Sequence, residues 1–133
     1  METDKLYRVL FYLGSGWNFV ISVTIFVLTR SLPSMIGIEP PRYPIFIYFN
    51  LTSVFFFGCV QWIIARDIRA YRSFVKMLAW AKLTMGGILL YSLLVDTMVK
   101  ALIGFLAPGV VLDVIFGLIY WRFLMYSRAK AVA

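Results

Sequence analysis

Apolar positions along the chain gather into four long runs, at about residues 10–28, 44–65, 74–95 and 101–126, and most of the charge lies between them. Each run reaches roughly the 20 residues that a helix rising 1.5 Å per residue needs to cross the hydrocarbon of a bilayer. The pattern predicts an all-α fold: an integral membrane four-helix bundle that forms a single transmembrane domain over residues 1–133. Lys5 and Arg8 precede the first run as they would a secretion signal. Its apolar part is nevertheless longer than the roughly 7–15 residues of a signal core, and it ends Thr29-Arg30-Ser31-Leu32-Pro33 with no small-x-small cleavage pattern, so a retained helix is expected.

The connections differ in character. Residues 30–43 carry Pro33, Pro40 and Pro41, and Pro44 opens the next run, which makes this stretch too proline-rich to be one helix. Its segment 31–38 is apolar enough to form a short helical turn against the outer interface. A short turn near residues 96–100 joins the last two runs and makes them antiparallel neighbours.

Charge sets an orientation. With four crossings, one side holds Lys5, Arg8, Arg66, Arg69, Arg72, Lys76, Arg122, Arg128 and Lys130, the other only Arg30, Arg42 and Lys100. Basic residues favour the cytoplasmic side, so both termini are expected there, in the cytoplasmic (inner) membrane of a cell. Arg66, Arg69, Arg72 and Lys76 recur at spacings of three, three and four, as on one face of a helical turn. Such a segment can rest on anionic lipid headgroups, each charge contributing about 1 kcal/mol; the plainer reading is a topology signal. Tyr7, Phe11, Tyr12, Trp62, Trp121 and Tyr126 near the inner face, with Tyr43 and Tyr48 near the outer, fit aromatic interface belts.

Composition supports this picture and removes several chemistries. The chain is 62% hydrophobic and 14% charged with mean hydropathy +0.89, against about 25% charged in soluble proteins. The net charge of +7 is explained by the loops, so nucleic acid is not expected as a partner. Histidine is absent and Cys59 is the only cysteine, which excludes an intramolecular disulfide and the commonest general base and metal ligand. Asn50-Leu51-Thr52 matches a glycosylation acceptor but falls within a predicted span. With no phosphate loop and no pair of intramembrane carboxylates, no enzyme, metal site or cofactor is expected.

Lys82 and Asp113 are the exception to the apolar runs. An ionised side chain at mid-bilayer costs roughly 2.5–3.5 kcal/mol on insertion scales, so it usually faces a partner or a cavity. Counted from Arg72, Arg122 and Arg8, the residues Lys82, Asp113 and Asn18 lie about 13–15 Å along their helices; Gln61 lies nearer its basic end. Ser15, Asn18 and Ser22 share a helical face, as do Asn50, Val54, Phe57 and Gln61, and as do Lys82, Gly86 and Leu89. An intramembrane polar cluster of Asn18, Gln61, Lys82 and Asp113 is therefore expected, centred on a Lys82–Asp113 ion pair, with Gly14, Gly16, Gly58, Gly86, Gly87 and Gly117 as helix contact points. The pair either locks helices together or serves to bind or move something. Pro108-Gly109 marks a kink or a late helix start, near Gly109.

The order Gly16-Trp17-Asn18, a proline-bearing loop, Ala65-Arg66-Asp67-Ile68-Arg69, Lys82 and Leu112-Asp113 resembles small, largely uncharacterised four-helix bacterial membrane proteins. It is loosely similar to the broad DoxX-like group. The resemblance implies a four-helix membrane bundle with a polar spot on its inward faces and implies no activity. Small multidrug exporters share the length and helix count but carry a glutamate in the first helix, where this chain has Asn18. Two functions remain open. One is an accessory or structural subunit that packs against other membrane proteins, or against itself, among membrane lipids; the other is a homo-oligomeric small transporter or lipid- or quinone-binding module using the Asp113–Lys82 pair.

Overall fold

Proline, chain polarity and the ends of the apolar runs set where helices start and stop. The computed structural model describes residues 2–29, 31–35, 37, 39, 42–95 and 103–132. These form α1 (Glu2–Leu28), α2 (Leu32–Met35), α3 (Ile45–Arg66), α4 (Arg72–Val95) and α5 (Ile103–Val132), with no strand among the described residues. The four long helices contain stretches long and apolar enough to cross a membrane: Thr3–Leu28, Ile45–Arg66, Arg72–Ser92 and Ala107–Arg128. The expected turn at 96–100 lies outside the described residues.

Three boundaries shift from those expected. α1 begins at Glu2 rather than near residue 10, because nothing in its polar first turns breaks a helix and Asp4 there complements the helix dipole. The helical turn expected within 31–38 is confined to α2, and Gly37 follows it with φ +71°, a left-handed conformation suited to glycine. The late start expected near Gly109 is not found: α5 begins at Ile103 and runs through Pro108. Proline here forgoes a single backbone bond, to the Gly104 carbonyl, close to the helix end.

The chain divides into two compact units, Met1–Asp67 and Ile68–Ala133. In the first, α1 lies along α3. Arg8 meets Ala65, Ser15 meets Gly58, and Phe26 meets Tyr48, so the two helices run antiparallel. In the second, α4 and α5 are likewise antiparallel: Arg72 reaches Leu124, Lys82 reaches Asp113, and a Cβ on Gly86 would abut Val114.

Each helix buries a narrow stripe. On α1 it comprises Tyr7, Phe11, Gly14, Ser15, Asn18 and Ser22; on α3 it comprises Leu51, Gly58, Gln61, Ile64 and Ala65. Alternating steps of three and four residues give the seam of a two-helix contact, with a period near 3.5. On α4, Val75, Leu78, Ala79 and Gly86 are buried, and on α5, Val110, Phe116, Gly117, Tyr120 and Phe123. The inward face expected for Asn50 is corrected by this seam. Leu51, Gly58 and Ala65 follow one another at seven-residue spacing, and Asn50, one position aside from Leu51, is left exposed.

Glycine sets how closely the helices approach. A Cβ on Gly117 would sit 2.8 Å from Leu83 Cγ and 3.3 Å from the Leu83 backbone nitrogen, whereas one on Gly87 would meet nothing within 4 Å. Gly117→Ala should therefore destabilise the α4/α5 pair by about 1–3 kcal/mol through overpacking. Gly87→Ala should be neutral or gain up to about 1 kcal/mol of helix propensity. Unfolding of the purified variants in detergent, followed by circular dichroism, checks the contrast; equal effects would contradict the packing described.

Candidate functional site

Two polar pairs occupy the seams, one in each unit. In the first, Asn18 Nδ2 donates to Gln61 Oε1 at 2.9 Å, and both side chains are fully buried. The neighbouring turn adds Ser15, whose hydroxyl donates to the Gly58 carbonyl at 2.8 Å. That contact depends on Gly58, since a Cβ there would fall 2.7 Å from Phe19 Cε1 and 3.3 Å from Asn18 Cβ. An aromatic column flanks the seam, Tyr12 edge-on to Trp62 and Phe19 tilted against Phe55.

In the second unit, Lys82 Nζ donates to Asp113 Oδ1 at 2.5 Å, with side-chain exposures of 11% and 15%. The pair is shielded without being sealed. Gly86 and Gly117, one turn from Lys82 and Asp113 respectively, let α4 and α5 approach closely enough for the lysine to reach the carboxylate without bending away. Tyr120 and Phe116 cover the α5 side, their rings 6.1 Å apart. Among the described residues, no buried side-chain nitrogen or oxygen lacks a hydrogen-bond partner. No group of three or more His, Cys, Asp or Glu that could hold a metal occurs among them either.

Of the four residues expected as a cluster, Asn18 bonds to Gln61 and Lys82 to Asp113, each bond within its own unit. The basic residues are also distributed differently from the single helical face expected. Arg66 ends α3, and the backbone of Asp67 (φ −144°, ψ 84°) breaks the helix, so Arg69 lies in the following turn. Only Arg72 and Lys76, four residues apart on α4, share a face.

Arginine closes the basic end of both helix pairs. Arg8 Nε donates to the Ala65 carbonyl at 2.8 Å, satisfying one of the terminal α3 carbonyls that lack an intrahelical partner. Arg72 Nη2 donates to the Leu124 carbonyl at 3.2 Å on α5. Neither bond is expected from the sequence, where Arg8 reads as a topology charge and Arg72 as part of the basic set facing lipid headgroups or marking topology. The signal was nonetheless present: each stands ten residues before the polar member of its own helix, Arg8 before Asn18 and Arg72 before Lys82.

The chain matches no protein-family model, no curated protein and no solved structure. Function therefore has to be argued from these contacts.

Chemically, each pair matches a donor to an acceptor across its seam. A carboxylate engaged by an ammonium and an amide engaged by an amide can hold helices in register. Asp113→Asn leaves the Lys82 ammonium without its counter-charge, and a broken buried pair costs roughly 3–5 kcal/mol. The variant should accumulate poorly and unfold early, whereas Lys82→Met combined with Asp113→Leu should recover most of the stability. Expression level and detergent unfolding of the two single variants and the double variant form the test. A double variant no better than the singles would remove the ion pair as a structural lock.

Proposed function

We propose that the protein is a multi-pass protein of the cytoplasmic membrane, with both termini cytoplasmic, that acts as an accessory subunit by packing its outer helix faces against other membrane proteins and has no catalytic chemistry of its own. The observation that carries this reading is Asn50. It is exposed on α3, five residues past the first residue Ile45 and so about 7–8 Å along the helix, and it has no hydrogen-bond partner among the described residues. A carboxamide facing hydrocarbon is unfavourable, while one facing a neighbouring helix contributes a hydrogen bond of about 0.6–2 kcal/mol. Around it Phe46 and Phe49 are about three-quarters exposed, and aromatic side chains are enriched at protein contacts.

The remaining polar groups support the same reading. Thr52 and Ser53, on the same helix, return their hydroxyls to the carbonyls of Tyr48 and Phe49 and so tolerate lipid, which Asn50 does not. In an apolar 18-residue window of each of the four spans, no more than 28% of the residues are buried. Exposed apolar side chains on each span are thus available for lipid or for a neighbour. The matched Lys82–Asp113 and Asn18–Gln61 pairs, each spent on holding two helices together, favour scaffolding over transport.

Extraction in a mild detergent followed by native mass measurement should give an assembly heavier than the 15.3 kDa chain, and Asn50→Leu should shift it towards the monomer without lowering the unfolding midpoint. A stable lone monomer from native membranes would overturn the proposal. Orientation has a separate check. Fusing a reporter active only outside the cytoplasm to either terminus should give no activity, while the same reporter inserted in the loop between α2 and α3 should be active.

A further inference from the structure

At the basic end of the second unit, α4 and α5 enclose a groove of about 450 Å³ within that unit alone. Arg72, Ser73 and Lys76 line it from α4, and Trp121, Met125 and Arg128 from α5. Three cations and one hydroxyl therefore converge on a single concavity, and no carboxylate lines it. The Arg72 guanidinium is held in place by its bond to the Leu124 carbonyl, which occupies one of its five donors and leaves the others available. Lys76 and Arg128 are exposed. Deeper along the helices, Trp80 lies one turn beyond Lys76 and packs edge-on against Trp121, ring centroids 5.6 Å apart. Cations and Trp121 line the groove, and Trp80, packed on Trp121, continues that aromatic surface beyond it.

We propose that this groove binds one phosphate-bearing amphiphile, the headgroup of an anionic phospholipid, with the phosphate against Arg72, Lys76 and Arg128 and the first acyl carbons along Trp80, Trp121 and Met125. Charge complementarity selects the occupant. Guanidinium groups match phosphate oxygens with paired donors, lysine adds a point charge, and a hydroxyl such as that of Ser73 completes an oxyanion shell. The aromatic floor distinguishes the lipid from a free anion, because inorganic phosphate would leave the tryptophans without an occupant while an acyl chain covers them. The volume lies within the range of small-molecule sites. Arg128, fifty-two residues beyond the end of the basic stretch 66–76, is brought to the site only by the antiparallel pairing of α4 and α5. The proposal rests on the membrane placement above but requires no partner protein.

The test uses the full chain in nanodiscs of equimolar phosphatidylglycerol and phosphatidylcholine, released into a native mass spectrometer. One tightly retained phosphatidylglycerol per chain is expected. Lys76→Gln with Arg128→Gln should weaken its retention about 30-fold, at roughly tenfold per 1.4 kcal/mol and about 1 kcal/mol per charge. Lys76→Arg with Arg128→Lys should restore it. Lys5→Gln with Arg66→Gln removes two exposed charges outside the groove and should leave retention within about threefold of the parent. An equal loss in that control would overturn the site in favour of diffuse attraction. Displacement of the lipid by a tenfold excess of glycerol phosphate would overturn the lipid assignment in favour of a free anion. Retention of both lipids alike would overturn it outright, and failure of the chain to enter either bilayer would overturn the membrane placement along with it.

Discussion

A polar side chain in an apolar helix must find its partner inside the same contact, and this constraint fixes the register of both helix pairs. Sliding α5 by one turn along α4 would move Asp113 about 5 Å from Lys82 and leave two charges unpaired, at a cost of several kcal/mol that apolar contacts of nearly uniform size could not offset. The same reasoning holds for Asn18 and Gln61, at lower cost because neither is charged. Apolar seams alone specify which faces meet but tolerate slippage. The polar pairs remove that tolerance.

The two units solve this problem with parallel layouts. Each begins with an arginine on its first helix donating to a backbone carbonyl of its second, Arg8 to Ala65 and Arg72 to Leu124. Ten residues on, each first helix presents a polar side chain, Asn18 or Lys82, to a complementary group on the second. Glycine occupies a neighbouring turn in each case: Gly58 beside Asn18, and Gly86 and Gly117 beside the ion pair. The small residue is a precondition for the polar contact, because a hydrogen bond of about 2.9 Å between short side chains demands close helix axes. The arginines then close the basic end of each helix pair.

Much of this was legible in the sequence. Lys82 and Asp113 were expected to pair because they are an acid and a base at matching depth in otherwise apolar runs, and the structure joins them. Gly58, Gly86 and Gly117 were expected at contacts, and they are close-approach points, while Gly16 and Gly87 face open space. Helix existence was readable from run length, but ends were not: α1 extends through Lys5 and Arg8 because charge does not end a helix, and α5 passes Pro108 because proline near a helix start forgoes little. Asn50 shows the limit of a helical wheel: at 3.6 residues per turn it aligns with buried Gln61, yet the stripe passes through Leu51 instead and Asn50 is exposed. Nor could spacing reveal that Arg128 and Trp121 stand beside Arg72 and Lys76, since only the pairing of α4 with α5 brings them together.

The placement of polar groups separates what holds the helices from what they present. Groups facing the seams are consumed: Ser15, Asn18 and Gln61 in the first unit, Lys82 and Asp113 in the second. Groups facing outward are not consumed in the same way. Asn50 is exposed without a partner among the described residues, and Lys76 and Arg128 line an open groove with no carboxylate in its lining. A transporter would need the reverse distribution, with unsatisfied or exchangeable groups along an interior path and an outer surface indifferent to its surroundings. An accessory subunit needs a rigid interior and a selective exterior. Fixing the register with internal pairs leaves the outer carboxamide and the outer cations at defined positions, and defined positions are what recognition of a neighbouring helix or of a lipid headgroup requires.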